Sequence, residues 1–212
     1  MNTTNTKPTM FNTDVEYIEA ETAWAKARCA RITAERRLAE SQKDYRRGTL
    51  GRKPNTETSE HQRQLPALWE KEHDLRENID ARIAVTTASG KILGIDVLVE
   101  LHGLDAVGRT TLLMATLAGL SEELEDLFDA VAPAGFSSLM TPEHVWNFME
   151  LEFADRIPAR QPFNPTAALL RESLVTIQFG HTITPRDVRC GHIEITQKCF
   201  DAVLGLEPTT MA

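Results

Sequence analysis

The sequence predicts a mainly α protein: a long N-terminal helical hairpin followed by an α+β unit that carries a small β-hairpin. Three observations carry that prediction. Large side chains recur every seven residues from Tyr17 to Tyr45, apolar residues follow helical spacing from Ile92 to Leu174, and the period then changes to alternation. Charge divides where texture does. Of 212 residues, 1–90 carry 15 Lys+Arg against 14 Asp+Glu, and 91–212 carry 8 against 17, so nets of +1 and −9 give the total of −8.

Residues 1–13 hold one Lys and no apolar run, which excludes a signal or transit peptide and reads as a disordered N-terminus. From residue 14 to 89, Tyr17, Trp24, Arg31, Leu38 and Tyr45 mark one heptad position, and Ala20, Ala27, Ala34 and Ser41 mark another three residues on. Leu65, Leu68, Leu75, Ile79 and Ile83 repeat the theme, so two helices fold back as an antiparallel coiled-coil hairpin whose seams cover each other. A mobile loop is expected at 46–64, with Gly48, Gly51 and Pro54 as breakers and Pro66 in the first turn of the second helix. Arg31 at a seam position implies a thin seam, or one completed by a second copy of the chain.

Gly90 opens the second unit, 90–207, before a tail at 208–212. Ile92, Ile95, Leu98, Val99 and Leu101 form an amphipathic helix ended by Gly103. Asp105 caps a Leu-rich helix, Ser121 caps a short acidic one, and Thr141-Pro142 starts a helix whose buried face is Val145, Phe148, Met149 and Phe153. Asn164-Pro165 begins another, so that Thr166 to Val175 would be the candidate recognition helix. Leu174–Phe179 and Val188–Ile195 alternate as two strands, and Thr196 caps a final helix closed by Gly205. Helices, a small hairpin and a last helix form a winged-helix-like order.

Few motifs bear chemistry. Gly103 to Thr110 imitates a phosphate-binding loop, but Arg109 replaces the required Lys and a helical segment precedes it instead of a strand. His181, Cys190, His192 and Cys199 lack the short ligand spacing of zinc sites, and three widely spaced cysteines make no disulfide framework. No metal and no cofactor are expected. Nor is catalysis, since no nucleophile elbow, zinc-protease or dinucleotide signature is present. A net of −9 on the second unit argues against a duplex partner, although Arg36, Arg37, Lys43, Arg46, Arg47, Arg52 and Lys53 crowd the hairpin. The longest uncharged apolar stretch, Thr110 to Ser121, is 12 residues, well short of a membrane span, and the expected location is the cytoplasm.

Ile95 to Leu206 resembles the N-terminal winged-helix region of a group of bacterial AAA+ ATPases, including those encoded with contractile injection systems. The similar residues are GLDAVGRTTLLMATLAGLSEELEDLFDAV, the Thr141-Pro142 helix, NPTAALLRESLVTI and GHIEITQKCFDAVLG. The resemblance implies an adaptor that recognises a protein partner, such as an ATPase ring or an injection-system component. It carries no catalytic residue, because the ATPase motifs have no counterpart in this sequence.

The expected function is therefore a non-catalytic interaction module, with Trp24 and Tyr45 as partner-binding anchors and homo-oligomers through the coiled coil as an option. A DNA-binding transcription regulator and a nucleotide binder using Gly103 to Thr110 are the alternatives.

Overall fold

Helix α1 (Asp14–Arg47) starts at a reciprocal cap: the Thr13 hydroxyl accepts the Glu16 N–H at 3.1 Å, and the Glu16 carboxylate accepts the Asn12 N–H at 2.9 Å. This is a computed structural model that describes residues 8–47, 56–132, 139–178 and 190–206, with side chains described except at 44–47 and 56–61. Helix α2 (Thr56–Ala88) packs antiparallel on α1, as cross-pairs Glu16–Arg82, Glu21–Arg76, Arg28–Glu72 and Glu35–Trp69 show. Four helices follow, α3 (Gly94–His102), α4 (Ala106–Leu120), α5 (Glu122–Asp129) and α6 (Pro142–Phe148). A 3₁₀ turn (Pro158–Phe163) and a one-turn helix α7 (Ala168–Arg171) come next. Strand β1 (Val175–Gln178) pairs antiparallel with β2 (His192–Ile195), Val175 opposite Ile195 and Gln178 opposite His192, before α8 (Gln197–Val203).

The caps are those the sequence indicated. Gly103 closes α3 with a left-handed φ of 61°, the Asp105 carboxylate accepts the Gly108 N–H at 2.8 Å, and the Ser121 and Thr196 hydroxyls accept from Leu124 and Cys199. Helix α4 is apolar because it is surrounded: Thr111 through Leu117 are all buried among α3, α5, α6 and β2. The core does not break at residue 90. Phe11, Tyr17, Cys29, Ile32 and Ile79 belong to the same cluster as Leu112, Phe128, Trp146 and Val203. Asp14 joins the two parts in a second way, its carboxylate accepting the Gly94 N–H at 2.6 Å.

Five details depart from the sequence expectation. Residues 8–13 are placed, with Phe11 fully buried against Tyr17 and its N–H donated to the Thr86 hydroxyl at 2.8 Å; an apolar ring at the hairpin's end outweighs a polar context. Residues 56–64 of the expected loop are helical, since the breakers stop at Pro54, and Pro66 sits inside α2 on an exposed face where water can satisfy the freed carbonyl. Phe153 is 83% exposed, because α6 stops at Phe148 and Glu150 adopts a left-handed φ of 56° that turns the chain outward. The segment from Thr166 to Val175 holds only the single turn α7 before β1 begins. Arg31 is fully buried, and its partners come from its own chain.

Candidate functional site

Between α1 and α2 lies a groove of about 480 Å³ lined by Trp24, Arg28, Trp69, Glu70, Glu72, His73 and Arg76. The heptad spacing puts Trp24 on the face of α1 toward α2, where its ring meets Phe148 edge-on at 5.4 Å between centroids. Arg28 and Arg76 lie over the Trp24 ring, at 5.4 and 5.1 Å from its centroid. The indole N–H of Trp24 is shut from solvent and finds no hydrogen-bond partner among the described residues. Trp69 differs: it is 50% exposed, yet the Arg31 guanidinium stacks 4.0 Å from its centroid and its N–H donates to Glu35 at 2.9 Å. Its position is fixed while much of its surface faces solvent.

An ion-pair network backs the groove. The Arg31 guanidinium donates to Glu72, to Glu35 at 2.8 Å and to Glu150 at 2.9 Å, while Arg28 donates to Glu72, to Glu150 at 2.9 Å and to the Phe148 carbonyl at 2.7 Å. Burial by itself would release the Arg31 proton more easily, but the hydrogen bonds to Glu150 and Glu72 outweigh it and hold the group above its ordinary range. Burial likewise favours a neutral Glu150, and the Arg31 hydrogen bond with the nearby Arg28 charge reverses this, leaving its carboxyl below the usual value. A second chain of contacts runs from Arg76 to Glu21 at 3.1 Å, from Tyr17 to Glu21 at 2.7 Å, and from Arg109 to the Tyr17 oxygen at 2.8 Å.

The phosphate-loop lookalike is a helix corner. Helix α3 precedes it, the Arg109 guanidinium turns away to Tyr17 and Asp96, and the Asp105 carboxylate occupies the Gly108 N–H. An adjacent cleft of about 180 Å³ is lined by Gly103, Asp105, Gly108, Gln161 and Leu169, and the charge in that lining is the Asp105 carboxylate. Gly108 has a packing reason instead, since a Cβ there would approach Leu104 Cβ to 3.2 Å.

Among the described residues no group of His, Cys, Asp and Glu is arranged to hold a metal; His181 lies outside them. Burial pushes the thiols of Cys29 and Cys199 up to about 12, so both are protonated and poor nucleophiles near neutral pH. Thr141, His144 and Asp129 line up like a relay, with the Thr141 hydroxyl 2.8 Å from His144 Nδ1 and Asp129 Oδ1 3.2 Å from Nε2. Asp129 Oδ1 and His144 Nε2 make no hydrogen bond among the described residues, and Thr141 and His144 are fully buried, so the group anchors the start of α6.

A family model described as winged helix domain, variant, matches residues 1–210. The chain belongs to this family. In this winged helix domain the match includes the long α1–α2 hairpin, so the groove lies within the matched unit. No curated protein and no solved structure matches the chain. Of the two anchors named from sequence, Trp24 lines the groove, whereas Tyr45 falls in α1 with its side chain outside the described set. Trp69 was missed because it stands one residue off the Leu65, Leu68, Leu75 register; only its stacking on Arg31 singles it out. Among the described residues no helix is long and apolar enough to cross a membrane.

Proposed function

We propose that this winged helix domain is a non-catalytic interaction module that holds an apolar side chain of a protein partner in the α1–α2 groove. The single observation that carries this is Trp69, half exposed but fixed by Arg31 and Glu35. A ring that is already ordered loses little conformational entropy on binding, which is what makes aromatic residues strong interface anchors. The resemblance of Ile95–Leu206 to the N-terminal region of AAA+ ATPases nominates such a ring, including one from a contractile injection system, as the first partner to test.

A photo-crosslinking residue at His73, on the groove rim, should capture from native cells the protein that co-purifies with the wild-type chain. Trp69→Ala should lose that protein roughly tenfold while the chain stays folded. A partner retained in full by Trp69→Ala would end this proposal.

A winged helix also suits DNA, and the second reading is a DNA-binding regulator. The short α7 and the net of −9 on residues 91–212 weigh against it. A gel shift at low salt separates the two: no retardation at micromolar protein is the expected result.

A further inference from the structure

We infer that the segment held at this groove is basic: a short amphipathic stretch presenting an aromatic or branched aliphatic residue between Lys or Arg side chains. The inference rests on the groove being the interaction site and adds the chemistry of its occupant. It follows from which charges near Trp69 are already spoken for. Every guanidinium at the groove is committed, Arg28 and Arg31 to Glu72 and Glu150, and Arg76 to Glu21 and Asp80. His73 pairs with Glu77 at 3.1 Å. Glu70, by contrast, lines the groove, is exposed, and has no ion-pair partner among the described residues.

The same imbalance continues past Glu150. That residue binds Arg31, the cation stacked on Trp69, and the chain then turns out through Glu152, Phe153 and Asp155. Glu152 and Asp155 are exposed with no ion-pair partner among the described residues, and they flank Phe153, which is 83% exposed. Of the nearby cations, Arg156 is taken up by Glu143 and Asn147, and Arg36, whose charge acts on Glu150 itself, is half-buried and donates to the Val131 carbonyl. Lys71 does not offset Glu70, since at 100° per residue it lies round α2 on the side away from Trp69, His73 and Arg76. Two exposed rings are therefore bordered by free carboxylates. Such a surface attracts cations at its rim and buries apolar groups at its centre.

The test uses the full chain and two fluorescein-labelled amphipathic peptides with the same apolar residues, one carrying Lys and Arg and the other Glu. The basic peptide should bind saturably at physiological salt and the acidic one should not. Trp69→Ala and Phe153→Ala, which leave net charge unchanged, should each weaken it roughly tenfold, and Glu70→Lys should weaken it further at low salt. Circular dichroism of each variant must match wild type for the comparison to count, and Trp69→Phe, keeping a ring, should recover part of the affinity. Equal binding of both peptides would overturn the inference, because charge would then play no part in selecting the occupant; Trp69→Ala and Phe153→Ala variants that bind the basic peptide as wild type does would overturn it too, because charge alone would then be the cause. A dimer that dissociates in Trp69→Ala would overturn it too, by making a second copy the occupant. If crosslinking at His73 finds a partner while the basic peptide fails, the interaction module stands and this assignment of its ligand falls.

Discussion

Arg31 sets the energetics at the residue scale. A fully buried guanidinium survives in a helix seam only with its donors satisfied, and Glu35, Glu72 and Glu150 provide that. Arg31→Met removes the cation and leaves Glu72, 5% exposed, short of a partner; the expected loss is about 3–5 kcal/mol in urea unfolding. Trp24 makes the opposite case, because its unpaired N–H contributes nothing. Trp24→Phe should stay within about 1.5 kcal/mol of wild type, whereas Trp24→Ala should cost about 3–5 kcal/mol by opening a cavity against Phe148. His144 governs part of the pH response. Burial pushes its imidazole down to about 4, with the Arg36 charge acting in the same direction and Glu143 opposing. The unfolded chain takes up that proton near pH 6.5, so stability is full above this pH and falls as pH drops toward 4. The loss approaches about 3 kcal/mol before the attraction of Asp129, 3.2 Å away, is deducted. Urea midpoints measured from pH 7 to pH 4.5 should decline, and His144→Gln should flatten the decline.

Elements in this protein are positioned by close backbone approaches as much as by side chains. A Cβ on Gly94 would lie 2.2 Å from the Ala202 carbonyl oxygen, so α3 and α8 touch at this point only because the side chain is a hydrogen. Gly94→Ala should cost about 1–3 kcal/mol through forced separation of the two helices, read as a lowered melting temperature. Ser173 holds a left-handed φ of 54° on an exposed turn before β1, and Ser173→Gly should raise stability by about 0.5–1 kcal/mol. At this scale the sequence was informative where local chemistry decides. Gly103, Asp105, Ser121 and Thr196 announced their caps, and alternation announced β1 and β2. It misled at Phe153 and at Thr166–Val175, because left-handed turns at Glu150 and Ser173, neither of them a glycine that would have announced the stop, follow the early ends of α6 and α7.

For the whole molecule, one hydrophobic cluster joins Phe11, Cys29 and Ile79 to Leu112 and Val203, although composition changes near residue 90. Far-ultraviolet dichroism and tryptophan fluorescence, with Trp24 and Trp69 in the hairpin and Trp146 in α6, should therefore give coincident unfolding curves. Separate transitions would show two independent units. The sequence by itself determined the helical hairpin's existence, the order of elements after it, the β-hairpin and the acidic balance of the second part, since each depends on periodicity, capping or summed charge along the chain. Tertiary structure alone decided that Arg31 is neutralised by Glu72 and Glu150, that Trp69 lines one groove with Trp24, and that Glu70, Glu152 and Asp155 have no ion-pair partner among the described residues. Those facts depend on which side chains meet across separations of 41 residues for Arg31 and Glu72 and 119 for Arg31 and Glu150, and pairing at that range leaves no trace in local spacing.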